Sequence, residues 1–342
     1  PALSSLDGTG AAEVLSLGEA LRDDAGGVVR LLGSLTGAGE HAFAALNTAA
    51  MDDGALIRIP EGLRLEQPLE ILHLSAAGAD PQVAQPRNLI LVEPRARARL
   101  IERFVAIGEP LYFTNAIDEI LLGESAELEH ERLQAESPNA FHMAGLHVDQ
   151  AGDSRYRCVT AALGGAWSRT ELRVRFRAPG AQCELDGLYL AGDGQLVDFH
   201  LDVDHDVPGC SSRESFRGIL HGRGRAVFDG RVLVQKQAQK TSAHLTNANL
   251  MLSRNAEIDT KPQLEIFADD VQCSHGTTVG QLDSEAMFYM RSRGLSEAVA
   301  RKMLSLGFAG AILDRYLTAG LRERADALLQ ARLGGAAEPE NA

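Results

Sequence analysis

A thiol and an imidazole lie two residues apart in segment 262–280. They are Cys273 and His275, and the acidic pair Asp269 and Asp270 precedes them. If the segment is a β-strand, side chains alternate between its faces, so Cys273 and His275 share one face. Both side chains can ligate iron, zinc or copper. The Cys-x-His spacing therefore indicates a candidate metal site, although a single cysteine is more often a small buried apolar residue.

The four cysteines are too scattered to form a complete iron–sulfur site. Cys158, Cys183, Cys210 and Cys273 show no C-x-x-C motif and no paired spacing. With no export signal in the sequence, a disulfide framework is not expected. An iron–sulfur cluster typically needs about four ligands, mostly thiolates, so a partner would have to supply some of them. Cys158 and Cys183 lie in apolar strand contexts, where we expect structural, unreactive thiols.

A second polar set lies in the run 196–205. Asp198, His200, Asp202 and Asp204 alternate with apolar residues, so they share one face of a predicted strand. Carboxylates and an imidazole in a row could bind a divalent cation. Such alternation is more typical of the solvated outer face of a sheet, which is the interpretation we favour. His205 has the opposite parity and is predicted to be a hydrogen-bonded core histidine.

The elements that must position these residues change in character along the chain. Residues 1–53 are predicted to form short helices. From Ala55 to residue 280, short apolar runs punctuated by glycines predict many β-strands. A sandwich, a barrel and a solenoid all fit this pattern, and no fixed-period repeat selects among them.

Helical patterns return after residue 280. Asp283 is a predicted N-cap of a first helix, and Gly294 its terminator. Ser296 is a predicted cap of a second helix. This helix carries an apolar stripe of Val299, Met303, Leu306 and Gly310, and a charged helix follows over about 314–333.

Composition excludes several classes of function. The 342-residue chain has a formal net charge of −14 and a pI near 5.2, which disfavours binding to nucleic acid. No apolar run is long enough to cross a bilayer, and no signal peptide is evident, so we expect a cytoplasmic protein. No P-loop, dinucleotide fingerprint or nucleophile elbow occurs, which indicates a chain that is not itself an enzyme.

The ordered motifs along the chain resemble the SufB/SufD family of iron–sulfur cluster assembly scaffolds, and its SufD branch in particular. Segment 268–276, Ala-Asp-Asp-Val-Gln-Cys-Ser-His-Gly, has the SufD-like form. The coil matching residues 254–257 lacks the cysteine of SufB-like chains, so their persulfide-accepting thiol has no counterpart here. Further matching motifs contain Asn47, Asp198-Phe-His200, Pro208-Gly-Cys210, Phe216-Arg-Gly218 and Gly307-Phe308.

The resemblance implies a fold and a division of the chain. The fold is a right-handed parallel β-helix over residues 54–280, which follows a helical segment at 1–53. Chains of this family usually have a further helical region before the point that matches Pro1, and most of that region is expected to be missing from this sequence. A C-terminal helical subdomain covers 281–333, and a disordered tail covers 334–342.

The resemblance also implies a function. The chain would be a non-catalytic scaffold subunit that pairs with a SufB-type chain and docks the ATPase SufC. In isolation, the chain could instead pair with a second copy of itself as a homodimer. His275 and Cys273 are candidate ligands of a transient iron–sulfur cluster shared with the partner. Some complexes of the family bind a flavin, but nothing in this sequence identifies a flavin site. The candidate ATPase dock comprises Phe288, Arg291, Arg293, Met303 and Phe308.

Two alternatives remain. One is a purely structural β-helix that stabilises its SufB-type partner and recruits the ATPase without contacting iron or sulfur. The other is a carbohydrate-active β-helix enzyme, which would need paired catalytic carboxylates in a cleft. The Asp198–Asp204 row is the candidate for such a pair, and the C-terminal helices do not suit that function.

Overall fold

Two parallel β-sheets form most of the molecule. The computed structural model describes residues 10–23, 27–36, 42–76, 78, 80–316 and 318–335. Sheet A contains β1 (Glu13–Ser16), β2 (Ala55–Ile59), β4 (Gln82–Ala84), β5 (Arg87–Val92), β7 (Tyr112–Leu122), β9 (Phe141–Gln150), β11 (Trp167–Phe176), β13 (Leu196–His205), β15 (Arg225–Val234) and β17 (Glu257–Ile266). Sheet B contains β3 (Leu69–Ala76), β6 (Arg97–Ile107), β8 (Glu127–Ala135), β10 (Arg155–Ala162), β12 (Gln182–Ala191), β14 (Ser211–Leu220), β16 (Ser242–Met251) and β18 (Gln272–Gly280).

The chain winds from one sheet to the other and back in successive coils. From β5 to β16 each strand pairs in parallel with the strand one coil later, and among the described strands only β1 pairs antiparallel, with β2. Arg169 of β11, for example, lies beside Asp198 of β13, which is 29 residues further along the chain. The parallel β-helix implied by the resemblance is therefore confirmed, and the sandwich and barrel are excluded.

Inward-facing side chains of the two sheets fill the space between them. An aromatic stack runs through this core, with ring centroids 5.6 Å apart for Tyr189 and Phe199 and 5.3 Å apart for Phe199 and Phe216. A Cβ atom at Gly187 would lie 2.1 Å from the Phe216 ring, so the stack requires glycine at that position. Interiors this closely packed tolerate little added volume.

The outer face of sheet A carries a ladder of ion pairs. Asp198 accepts hydrogen bonds from Arg169 at 2.6 Å, and Asp202 accepts from Arg231 at 2.7 Å. The acidic row is thus an outer sheet face, as the alternation predicts. His205 is buried in the core, where its Nε2 lies 3.0 Å from the Ser212 hydroxyl, so the predicted core histidine is also confirmed.

Short helices cover the outer face of sheet A at its first coils. They are α1 (Leu17–Arg22), α2 (Val28–Leu31) and α3 (Ala42–Ala50). Asn47 joins α3 to the sheet, because its amide donates to the carbonyls of Pro86 and Asn115 and its oxygen accepts from Arg87. Its occurrence in the Ala-Leu-Asn motif thus has a structural explanation.

The C-terminal helices are α4 (Ser284–Ser292), α5 (Glu297–Leu313) and α6 (Ala319–Gly335). Helices α5 and α6 cover the outer face of sheet B. Asp283 and Ser296 cap α4 and α5 as predicted, and Gly294 has a φ of 89° as a helix terminator. Residues of α5 and α6 pack with outward-facing residues of β8, β10, β12 and β14 in a second apolar cluster. Its members include Ala309, Ile312, Leu329, Leu133, Val159, Leu188 and Ile219.

The predicted apolar stripe of α5 packs only in part, through Leu306, which contacts the second apolar cluster. Val299 and Met303 are exposed, and the buried side of the helix is formed by Ala300, Ala309 and Ile312. No helix in the described part of the chain is long and apolar enough to span a membrane. Of the predicted tail, residues 334 and 335 belong to α6, and residues 336–342 lie outside the described residues.

Candidate functional site

Cys273 and His275 lie on the last coil of the β-helix. Strand β18 pairs with β16, and the register places Cys273 beside Ala243 and His275 beside Leu245. Ala243 and Leu245 are buried in the core between the sheets. The thiol and the imidazole therefore share the inner face of β18, as the alternation predicts. Cys273 is half-buried, but His275 is exposed because no described strand covers this coil.

The last coil leaves the β-helix open at this end. In the residues that the structure describes, β17 ends sheet A and β18 ends sheet B, so each strand has one unpaired edge. Apolar side chains are exposed here, with Val279 52% and Phe267 61% accessible. An unpaired strand edge with exposed apolar residues is a template for pairing with another chain.

A buried carboxyl group influences the thiol from within the β-helix. Glu214 of β14 shares the inner column of Leu245 and His275, and neither of its oxygens makes a hydrogen bond. Burial raises the pKa of Glu214 to about 8. Burial also raises the pKa of Cys273, and the charge of Glu214 raises it further. In the isolated chain Cys273 is thus a protonated thiol at neutral pH, and a bound cation would have to displace its proton.

The pair can supply only part of a metal or cluster site. One thiol and one imidazole are two ligands, whereas an iron–sulfur cluster takes about four. The neighbouring Ser274 does not add a ligand to this pair, because it lies on the opposite face of β18. Its hydroxyl oxygen is 2.8 Å from Nδ1 of His244. The remaining ligands would have to come from a molecule seated on the open end.

The other three cysteines do not contribute to this site. Cys158, Cys183 and Cys210 are buried. Burial raises the pKa of Cys158 to about 12 and raises the pKa of Cys183 and Cys210 as well. The predicted structural setting of Cys158 and Cys183 agrees with these positions.

The candidate docking residues lie on α4, at its C-cap residue Arg293, and on α5. Phe288 is 75% exposed and Met303 is 50% exposed. Arg293 stacks over the Tyr289 ring at 5.1 Å, and Arg291 lies 3.5 Å from Glu297. Phe308 differs from these, because it is partly buried and lies under the Arg217 guanidinium at 4.8 Å.

Sequence reasoning missed the charged groups inside the β-helix. Glu102 of β6, Asp118 of β7 and His130 of β8 are fully buried in the lumen, beside Arg132. Each of them lies in or beside an apolar stretch of its strand, at a position whose side chain points into the β-helix. That parity is the signal that could have identified them, but it depends on knowing the register of each strand.

Comparison with known proteins identifies relatives along most of the chain. A family-wide profile described as SUF system FeS cluster assembly, SufBD core domain, matches residues 73–308. An iron–sulfur cluster assembly SufBD family protein of Synechocystis is 38% identical over 84% of this chain and 65% of its own length. The iron–sulfur cluster assembly protein SufD of Escherichia coli is 34% identical over 82% of this chain and 67% of its own length.

A plant relative extends the comparison. The protein ABCI7, chloroplastic, of Arabidopsis thaliana is 32% identical over 83% of this chain and 61% of its own length. The chain thus spans about two thirds of the length of these curated relatives.

Proposed function

The chain belongs to the SufBD family of iron–sulfur cluster assembly proteins, and from this premise we propose that it acts as a SufD-like scaffold subunit. In this role it pairs with a SufB-type β-helix, shares a nascent cluster with it and docks the ATPase SufC. The chain performs no catalytic step of its own, because ATP hydrolysis belongs to the ATPase. The cluster is the cargo of the assembly rather than a resident cofactor.

The open end of the β-helix is the observation that carries this proposal. It combines two unpaired strand edges, exposed apolar side chains and an inward-facing Cys273 and His275. A second β-helix seated there would extend both sheets and bury the apolar residues. Its own ligands would then lie against Cys273 and His275, which completes the set that this chain lacks.

The chemistry at the junction follows from the ligand types. His275 is exposed, so its imidazole can offer a nitrogen to iron without a change in the fold. Cys273 must lose a proton to ligate, and its burial makes that loss less favourable in the isolated chain. Cluster ligation by Cys273 therefore depends on the iron and sulfur that arrive with the partner, whereas His275 is available beforehand.

We propose that the ATPase docks on α4 and the first half of α5. Among the described residues of α4 none is buried, and its Phe288 and Tyr289 are exposed, as is Met303 of α5. The rest of α5, together with α6, is packed on sheet B, and the described residues there include no large apolar side chain as exposed as Phe288. An exposed apolar helix face with flanking arginines suits the groove of a partner protein.

Substitution of His275 tests the proposal against the purely structural alternative. His275→Ala should lower the cluster yield in the assembled complex, followed by visible absorbance during reconstitution, without loss of the partner subunits. The matched control is His244→Ala, which removes an exposed imidazole one strand away on the opposite face of sheet B. Equal yields for His275→Ala, His244→Ala and the parent complex would favour the structural alternative.

A further inference from the structure

A cluster of three ligand-type side chains lies inside the β-helix, far from the open end. The carboxylates of Glu102 and Asp118 and the imidazole of His130 place one ligand atom each within 4.8 Å of one another. Glu102 and His130 come from neighbouring strands of sheet B, and Asp118 faces them from sheet A. All three side chains are buried.

We propose that Glu102, Asp118 and His130 form a second site, which binds a divalent transition-metal cation independently of Cys273 and His275. Oxygen and imidazole ligands without thiolate suit the borderline cations Fe²⁺, Mn²⁺, Co²⁺ and Zn²⁺. The site lies on β6 to β8, whereas the open end is formed by β17 and β18. No ligand is shared between the two sites.

The imidazole of His130 carries the argument. Its Nδ1 lies 3.2 Å from the Tyr156 hydroxyl, which is the outer contact that orients a metal-binding histidine. Its Nε2 is buried and makes no hydrogen bond, and it lies 3.7 Å from Oε2 of Glu102. A buried nitrogen without a partner is costly. A cation between Nε2 and the carboxylates would satisfy it.

The carboxylates are also held by outer contacts. The Asn88 amide donates to Oδ1 of Asp118 at 2.7 Å, and Arg132 Nε donates to Oε2 of Glu102 at 2.6 Å. Each carboxylate has about four lone-pair directions, so these bonds leave positions for a metal. The charge of Arg132 balances that of Glu102. Burial and the charge of Glu102 raise the pKa of Asp118 well above its usual value, so a divalent cation would displace the Asp118 proton when it binds.

His73 lies between the site and solvent. His73 of β3 has a side chain 17% exposed, and its Nε2 lies 3.0 Å from Oε1 of Glu102. Its ring stacks on Phe104 at 4.2 Å, so it is held between solvent and the buried carboxylate. An entry path is one of the requirements for a metal site, and a rotation of His73 would open it.

Co²⁺ titration of the full chain tests the proposal. The background is the Cys273→Ser, His275→Ala double variant, in which cobalt cannot bind to the open-end pair. We expect one equivalent of Co²⁺ with visible d–d absorption, no sulfur-to-cobalt charge-transfer band, and a raised thermal unfolding midpoint. His130→Asn should abolish all of these changes. His205→Asn is the matched control, because His205 is also buried in the lumen but has no carboxylate cluster beside it, and it should bind Co²⁺ as the background does.

A second variant keeps the test valid if His130→Asn does not fold. Tyr156→Phe removes only the hydroxyl that contacts Nδ1, and outer contacts of this kind typically change metal affinity about 10- to 100-fold. Weaker Co²⁺ binding by Tyr156→Phe supports the site. Absence of bound Co²⁺ in the background chain, or equal affinity in His130→Asn or a folded Tyr156→Phe chain, would overturn it and leave the cluster as a proton-sharing part of the core.

Discussion

Cys273 differs from the other three cysteines in where its sulfur lies. It is half-buried at the open end, whereas Cys158, Cys183 and Cys210 are enclosed by the core. In the isolated native chain we expect a thiol-labelling reagent to modify Cys273 faster than the others, since access and thiolate fraction both limit the reaction. Mass spectrometry of the labelled peptides measures this order, and Cys273→Ser should remove the fast phase. Rapid labelling of native Cys158 or Cys183 would contradict their assignment as buried.

Glu214 should make the stability of the fold depend on pH. Its folded pKa of about 8 lies above the ordinary value of 4.5, so the folded state holds the proton more tightly than the unfolded state. The contribution of Glu214 to the free energy of unfolding is therefore greatest below pH 4.5. It is lost progressively as the pH rises from 4.5 to about 8. The loss is roughly 5 kcal/mol in the free energy of unfolding, from the difference between the two pKa values.

Denaturant unfolding at several pH values between 5 and 9 measures this dependence. Glu214→Gln should flatten the decline, because glutamine does not titrate. Glu323→Gln is the control, since Glu323 is an exposed carboxylate on α6 and its removal should leave the slope unchanged. Parallel curves for Glu214→Gln and the parent would show that Glu214 is ionised in both states.

Period-2 alternation predicted which side chains share a face but not what lies opposite them. It placed Cys273 with His275 and separated His205 from the Asp198 row, and the structure agrees in both cases. It could not predict that Glu102 and Asp118 meet across the lumen. Their contact depends on how β6 and β7 are placed in different sheets, and no local pattern encodes that placement.

At the scale of elements, the C-terminal helices divide into a packed part and a free part. α6 and the second half of α5 cover sheet B, so removing them would expose Leu133, Leu188 and Ile219. Truncation after residue 280 would consequently disturb the core as well as any dock. Point substitutions on the free surface separate these two effects.

Phe288→Asp combined with Met303→Asp should weaken capture of the ATPase without unfolding the chain. Both side chains are largely exposed, so the substitutions remove apolar contact area from the dock and little from the core. Co-purification of an ATP-binding-cassette ATPase with the tagged chain is the measurement. Val83→Asp, an equally exposed apolar position on β4, is the control. Full retention of the ATPase by the double variant would locate the dock elsewhere.

The strands themselves were predictable, but their assembly into coils was not. Apolar runs and glycines indicated most strands from β2 to β18 because each strand carries its own alternation. The repeat was hidden because the paired residues of successive coils are about 30 positions apart and the turns vary in length. Family resemblance rather than periodicity selected the β-helix.

At the scale of the whole molecule, the two ends of the β-helix differ. Helices and β1 cover the first coils of sheet A, whereas the last coil exposes its strand edges and its inward-facing residues. Among the described strands, sheet B also has an unpaired edge at the first end, on β3, so the last coil is distinguished by its inward-facing Cys273 and His275 rather than by free edges alone. The candidate cluster ligands lie at the open end, so under the proposed function pairing and cluster formation would be a single event.

The edge of β18 allows a test of pairing that leaves the fold intact. The Gln272 amide donates to Thr241 of the preceding coil, and alternate peptide groups of a parallel strand point to opposite sides. The amide of Val279 therefore points away from β16, toward the position of a partner strand. Proline is tolerated on an edge strand where the lost amide faces outward.

Val279→Pro should accordingly fold with an unfolding midpoint close to that of the parent but fail to pair with a SufB-type partner. Analytical ultracentrifugation of the mixed chains measures pairing, and circular dichroism checks the fold. Val279→Thr is the matched control, because it keeps the outward amide and the β-branched shape and should retain most of the affinity. Pairing that survives Val279→Pro but is lost in Val279→Thr would mean that apolar burial, and not extension of the sheet, joins the two β-helices. Pairing unaffected by both would place the partner on a different surface of the molecule.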